Sequence, residues 1–385
     1  MDSLCAGPHK KLSKLITDER AILKFENMKE RAGKLPVTDN RRSAFYANSL
    51  NQLANKLLGT SPHPEVKFTN DEISTSTAVH FGLKIPILMS HVGNIIQNHP
   101  NCPKLSVDAY GINLSKVTGC KGGETQHNHN AVVSFISQSF SAAGIPQIGG
   151  LNSQSCKNIF SSAIPRHGIS TNDTASTKNI KSIIADLVVN AQNVTDNRPL
   201  GGYRHIIDAK TLAGSYVYQQ SNTNFGYAVD KRGAEVNNEY HNTASNLDSK
   251  LHGTPPGLKG PFAKVLAEYG KDERVLGPTV GFYGEGSRDL LDLCNLAAKE
   301  MAKRHTEYYH CTVEQAYGLH KHILSRKWGH SIARGWAQLI ISRLRNSAIP
   351  YNSQSDFGDS DAHAQFEYFN PGNGAGNPFN NTPCD

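Results

Sequence analysis

Three residues in the middle of the chain could do chemistry together. Asp186 lies in an apolar, β-branched run from Ser182 to Val189, and Asp208 and Lys210 close a second such run that begins at Tyr203. Two carboxylates carried by neighbouring strands can share one hard divalent ion, Mg2+ or Mn2+, whose preferred ligands are oxygens. Residues two apart on a strand share a face, so the Lys210 ammonium would stand beside that ion. There it can orient or deprotonate a water, or hold the charge that develops on a phosphate. Hydrolysis of a phosphodiester needs these parts: an activated water, a neutralised phosphoryl group and help for the leaving oxygen. An Asp-x-Lys tripeptide also arises by chance, and such a pair at a strand end is most often a surface ion pair worth little. The placement of both acids at apolar runs favours the first reading.

A second group could bind a softer metal. Cys102, Cys120, His127 and His129 follow the order C-x17-C-x6-H-x-H, with the Gly122-Gly123 turn between. Zinc takes thiolate and imidazole donors converging tetrahedrally. No C-x2-C pair is present, so unpaired cysteines and surface histidines explain the same residues.

The elements that must position these groups can be read from periodicity. Residues 1–60 read as mainly helical. Asn70 reads as the N-cap of a short helix that Gly82 ends. From His129 to Phe140 an amphipathic helix carries Val133, Ile136 and Phe140 on one face and stops at Gly144. A polar stretch over 152–179 reads as a surface insertion. The two strands follow, then a helix over 226–247 weakened by Gly233, a Pro/Gly-rich loop, a helix over 262–269, a strand from Val275 to Tyr283 and a helix from Ser287 to Lys303. Helix, two paired strands, helix, strand, helix is the order of an α/β sandwich around a small mixed sheet. Leu324, Trp328, Ile332, Trp336, Leu339 and Ile340 then mark a long helix with Arg326, Lys327, Arg334, Arg343 and Arg345 among them. Its apolar stripe suits core packing, and its cations suit phosphates.

Composition narrows the class. No run of about 18 apolar residues exists, which argues against a membrane span. The start of the chain lacks a signal-peptide pattern, and seven scattered cysteines suit a reducing, intracellular compartment, the nucleus if the substrate is DNA. The net charge of +7 gathers in residues 9–42 and from Lys303 to Arg345, while the residues after Tyr351 hold acids and no Lys or Arg. A basic body with an acidic tail suits a nucleic-acid binder.

The chain also resembles a known family: the restriction-endonuclease-like, PD-(D/E)xK region that follows the reverse transcriptase in site-specific non-LTR retrotransposons. Asn70 to Leu83 is similar to its approach segment. Cys102, Asp108, Gly111, Cys120 and Gly122-Gly123 look like its Cys/His knuckle. His129-Asn130 matches the H-N of its helix start, Ala185-Asp186 stands for P-D and Asp208 for the second acid. Val275 to Gly284 looks like its later strand. The departures are Lys104 and Asn113 where knuckle ligands belong, and Gly281 where the family often has an acid. They weaken the zinc expectation. No Tyr-x-Asp-Asp polymerase motif occurs, so the resemblance implies a separated nuclease region.

These readings give an expected layout: a helical region at 1–100, a degenerate knuckle at 101–127, a restriction-endonuclease-like core at 128–305, basic helices at 306–350 and a disordered tail at 351–385. The expected activity is Mg- or Mn-dependent cleavage of DNA through Asp186, Asp208 and Lys210, and the expected partner is DNA or RNA. The rivals are a catalytically inactive nucleic-acid-binding protein of the same ancestry, and an interaction or membrane-peripheral protein using the Trp328/Trp336 helix.

Overall fold

Glutamates and lysines spaced three and four apart let the first segment run as one long helix, α1 (Pro8–Lys34), with Glu30 and Lys34 paired at 2.5 Å. A computed structural model describes residues 8–96, 105–117, 124–149, 160–165, 185–194, 200–214 and 226–347. Most of α1 stands in solvent. Its last turns meet the body, where Phe25 stacks on Phe45 and Ala32 is buried. Asp39 caps α2 (Asn40–Asn48), and the single turn α3 (Lys56–Gly59) follows. Helix α4 (Asn70–Phe81) is capped one residue earlier than its sequence suggests. Thr69 accepts from the Glu72 N–H while the Glu72 carboxylate accepts from Thr69 N–H, a reciprocal pair that Asn70 could not form. Gly82 ends α4 at φ 65°, and a Cβ there would lie 2.3 Å from the Asn40 carbonyl of α2.

The antiparallel pair β1 (Ile95–Ile96) and β2 (Leu105–Ser106) leads to α5 (Ile112–Lys116), whose first N–H groups, on Ile112 and Asn113, donate to the Asp108 carboxylate. Helix α6 (Glu124–Ala142) begins before His129 and ends at Gly144, φ 63°. After it comes β3 (Gln147–Gly149), a strand that three residues of mixed polarity do not announce in the sequence. Then follow β4 (Leu187–Asn190), β5 (Arg204–Ile207), β6 (Lys210–Leu212), α7 (Tyr227–His252), α8 (Pro261–Ala267), β7 (Thr279–Gly281), α9 (Arg288–Tyr309) and the 35-residue α10 (Val313–Ser347). The expected insertion at 152–179 falls mostly outside the described residues, and the tail after residue 350 falls wholly outside them.

β3, β4 and β5 form an antiparallel sheet, with Val188 opposite both Ile148 and Ile206. β6 and β7 pair in parallel, Lys210 opposite Thr279. The Ile207–Leu276 bridge joins the two sets, reinforced by Asp208 N–H to Leu276 O at 3.0 Å and Lys210 N–H to Pro278 O at 2.9 Å. The chain from Arg204 to Leu212 therefore runs between an antiparallel neighbour and a parallel one. Alternation along the strands feeds two cores. Leu187, Val189 and Ile207 join the larger one, which includes Phe140 of α6, Leu290 of α9 and Trp328 of α10. Val188 and Ile206 join the smaller one with Val236 and Tyr240 of α7 and Phe262 of α8. Helices thus cover both faces of a small mixed sheet, the α/β arrangement that the element order implies.

Gly233 serves the packing of α7 on this sheet. A Cβ there would lie 2.7 Å from the Gly277 carbonyl, so the glycine lets the helix touch the backbone that leads into β7. The described residues belong to one compact unit. The N-terminal helices are part of that unit rather than an appendage, since α3 and α4 both pack on α10 and Ser76 donates to Ala333 O at 3.1 Å. Among the described residues, no helix is long and apolar enough to cross a membrane.

Candidate active site

Asp186 stands immediately before β4, its N–H bonded to Ile207 O at 3.0 Å, so it extends the β4–β5 ladder by one residue. Asp208 and Ala209 lie between β5 and β6, where the chain passes from one ladder to the other. Asp208 uses its N–H on Leu276, and Ala209, between ladders, donates its N–H to Asp186 Oδ2 at 2.8 Å. The peptide that follows one acid thereby holds the other. Lys210 Nζ donates to Asp208 Oδ1 at 2.6 Å. Both acids and the lysine expected to act together are therefore neighbours.

A fourth member comes from α6. His129 Nε2 lies 3.1 Å from Asp186 Oδ2, and its Nδ1 is 3.4 Å from Asn130 Oδ1. One ligand atom from each of His129, Asp186 and Asp208 falls within 4.8 Å of the other two. His129 is also the one expected zinc ligand whose side chain is described, and its ring faces a carboxylate 57 residues away. Cys102, Cys120 and the His127 side chain lie outside the described residues. The sequence reads the His129–Asn130 pair as a helix start, whereas α6 begins at Glu124, and the Asp186 partner of His129 lies 57 residues on, out of reach of any local pattern.

The electrostatics follow from crowding two acids in a largely buried corner. Burial pushes the Asp208 carboxyl up to about 6; the Lys210 charge opposes that rise and the Asp186 charge adds to it. Burial acts upward on Asp186 too, but the His129 hydrogen bond and charge, with the Ala209 N–H, outweigh it and hold this carboxyl below its ordinary range. His129 is held above its ordinary value, since Asp186 more than offsets the burial that would lower it. Asp186 is thus the more acidic of the two carboxyls and Asp208 the one whose burial is only partly offset. Lys210 supplies that offset.

The basic residues of α10 behave differently from the expected phosphate-binding stripe. Arg343 is buried and donates to Leu114 O of α5 at 2.5 Å, so it cannot reach a phosphate in this fold. Arg334 Nε donates to Glu72 at 3.2 Å, and Lys327 pairs with Glu65. Arg326 is half-buried with its Nε unpartnered, and Arg345 is exposed. A 35-residue helix whose apolar residues pack on α4, α6 and α9 turns most of its circumference inward, and two of its cations, Arg334 and Arg343, find internal partners.

A second buried acid escapes any local signature. Glu285 lies in the turn after β7, where Gly281 N–H donates to Glu285 O at 2.8 Å and the side chain folds back over Gly281. Burial pushes its carboxyl up to about 7, against N–H donors of its own turn, and its Oε2 has no partner.

Comparison with family models, with curated protein sequences and with solved structures returned no match.

Proposed function

We propose that this chain is a metal-dependent endonuclease that hydrolyses DNA phosphodiester bonds, of the restriction-endonuclease-like kind and of retrotransposon ancestry. The observation that supports the reading is the convergence of Asp186, Asp208 and Lys210 at the junction of β5 and β6, with His129 beside them. The element order adds to it: helix α6, strands β3, β4 and β5, helix α7, then β7 in parallel with β6, the strand that bears Lys210.

The donor set fits a divalent cation. Two carboxylates and an imidazole converge within one coordination sphere, and Asp208 carries a raised affinity for a positive partner, here a proton. Asp186 and Asp208 would hold Mg2+ or Mn2+. Such an ion supplies charge neutralisation at the phosphoryl group and acidifies a water. The protein does the rest. Ala209 N–H and His129 fix the rotamer of Asp186, so that one of the ion's ligands is oriented in advance. Lys210, a quarter exposed beside Asp208, can donate to a phosphate oxygen or orient the attacking water.

Supercoiled plasmid incubated with the full chain and Mg2+ or Mn2+ tests the proposal. Nicking by the wild type that disappears in Asp208→Ala is the expected result. Equal nicking by both proteins overturns it. Salt-sensitive DNA binding that survives loss of both acids, without cleavage, would instead identify an inactive binding protein.

A further inference from the structure

The third donor of the cluster bears on which ion the site takes. Mg2+ is bound through oxygen, demands near-ideal octahedral geometry and sheds its waters reluctantly. Imidazole suits the first-row transition ions, which bind a mixed nitrogen and oxygen site more tightly. Carboxylates alone discriminate weakly between Mg2+ and Mn2+, so the identity of a third ligand is decisive.

His129 has the placement of a ligand rather than of a surface side chain. It sits on α6, a helix fixed to the core by Val132, Val133, Ile136 and Phe140, all buried, and by Phe135 against Trp328 at a ring separation of 5.0 Å. The Nε2 atom faces the carboxylates, and Nδ1 faces Asn130 Oδ1. A metal-binding histidine characteristically donates its other ring N–H to an oxygen acceptor, which fixes the tautomer that offers the free nitrogen to the ion. Asn130 Oδ1, 3.4 Å from Nδ1, is placed to be that acceptor. The reach of the cluster, 4.8 Å between ligand atoms at most, matches donors placed on opposite sides of one ion at about 2.0 to 2.5 Å.

We propose that His129 is a direct ligand of the ion and that it makes the site select Mn2+, as a representative first-row divalent ion, over Mg2+. This rests on the reading of Asp186 and Asp208 as an ion site. It does not require that the ion support cleavage.

The test is an ion titration of the full chain without nucleic acid, with bound Mn2+ followed by electron paramagnetic resonance and Mg2+ measured by competition. The wild type should bind Mn2+ about tenfold or more tightly than Mg2+. His129→Ala and His129→Asn should each lose at least about tenfold in Mn2+ affinity and about threefold or less in Mg2+ affinity, collapsing the preference. The Asn variant can keep a hydrogen bond to Asp186 without offering an imidazole. A wild-type preference retained in His129→Asn would reduce His129 to a positioning partner of Asp186 and overturn the proposal. So would equal affinity of the wild type for both ions, no binding of either, or Mn2+ binding unchanged in the Asp186→Asn/Asp208→Asn double variant. Selective binding without nicking would sink the nuclease reading alone. Nicking with no Mn2+ preference would sink this one alone.

Discussion

Asp208 and Glu285 are both buried carboxyls pushed upward by burial, to about 6 and about 7, yet they belong to different kinds of region. Around Asp208 the protein assembles side chains from three separate places: His129 from α6, Asp186 from the approach to β4 and Lys210 from β6. Around Glu285 it assembles backbone, the N–H groups of its own turn, and no charged side chain shifts its affinity for protons. A raised carboxyl alone therefore does not mark a site. What marks one is that titratable groups far apart in the sequence meet there, with partial compensation of charge left for a ligand to complete.

The largest test of this contrast is functional. Asp208→Asn should lower plasmid nicking by about 10²- to 10³-fold, whereas Glu285→Gln should leave the initial nicking rate within about twofold of the wild type. Comparable losses in both variants would erase the distinction between the two regions.

Stability should show the opposite order. A carboxyl whose folded pKa is raised stabilises the fold while it is protonated, below its unfolded pKa, and that contribution disappears as pH rises through the folded value. The metal-free protein should therefore lose stability as pH rises from about 4 to about 7, the Asp208 part of the decline ending near 6 and the Glu285 part near 7. Asp186, whose pKa is lowered, acts in the other sense and favours the fold above its unfolded value. Glu285→Gln should remove the later part of the decline and raise stability at pH 8 by up to about 3 kcal/mol. Denaturant melts of both proteins across this range measure it, and parallel curves would contradict the assignment.

A smaller change should come from Lys210→Met. Removing the charge that opposes the rise should move the Asp208 step to higher pH, visible as a displaced break in the same melts, with nicking also reduced. The smallest should come from Lys327→Ala. Its partner Glu65 is largely exposed, so the loss should stay under about 1 kcal/mol and nicking should not change.

The two regions also differ in how far the sequence reveals them. Asp186, Asp208 and Lys210 stand out because each acid adjoins an apolar run, and a strand's period of two places Lys210 beside Asp208. The sheet between helices is legible for the same reason: Leu187, Val188 and Val189 are apolar in succession because the strand is buried on both faces. His129 is legible as a helical residue, but its nearest histidine and cysteines suggest zinc, and nothing local points to an acid 57 residues on. Glu285 and β3 are illegible, the first because its burial is made by a turn and the second because three residues carry too little pattern. Arg343 and Arg334 mislead in the opposite direction. Spaced charges on a helix look like a solvent face, and only the carbonyl of Leu114 and the carboxylate of Glu72, both more than 200 residues away, show that they are internal ties.

The hydrogen bond from Ala209 to Asp186 bears on how this corner can change over generations. A backbone donor belongs to every residue type except proline, so any side chain that fits the buried space at 209 leaves that half of the Asp186 support intact. The half that comes from His129 can be lost in one substitution. Drift at this site should therefore first alter which ion it prefers, and only later whether the two acids still meet.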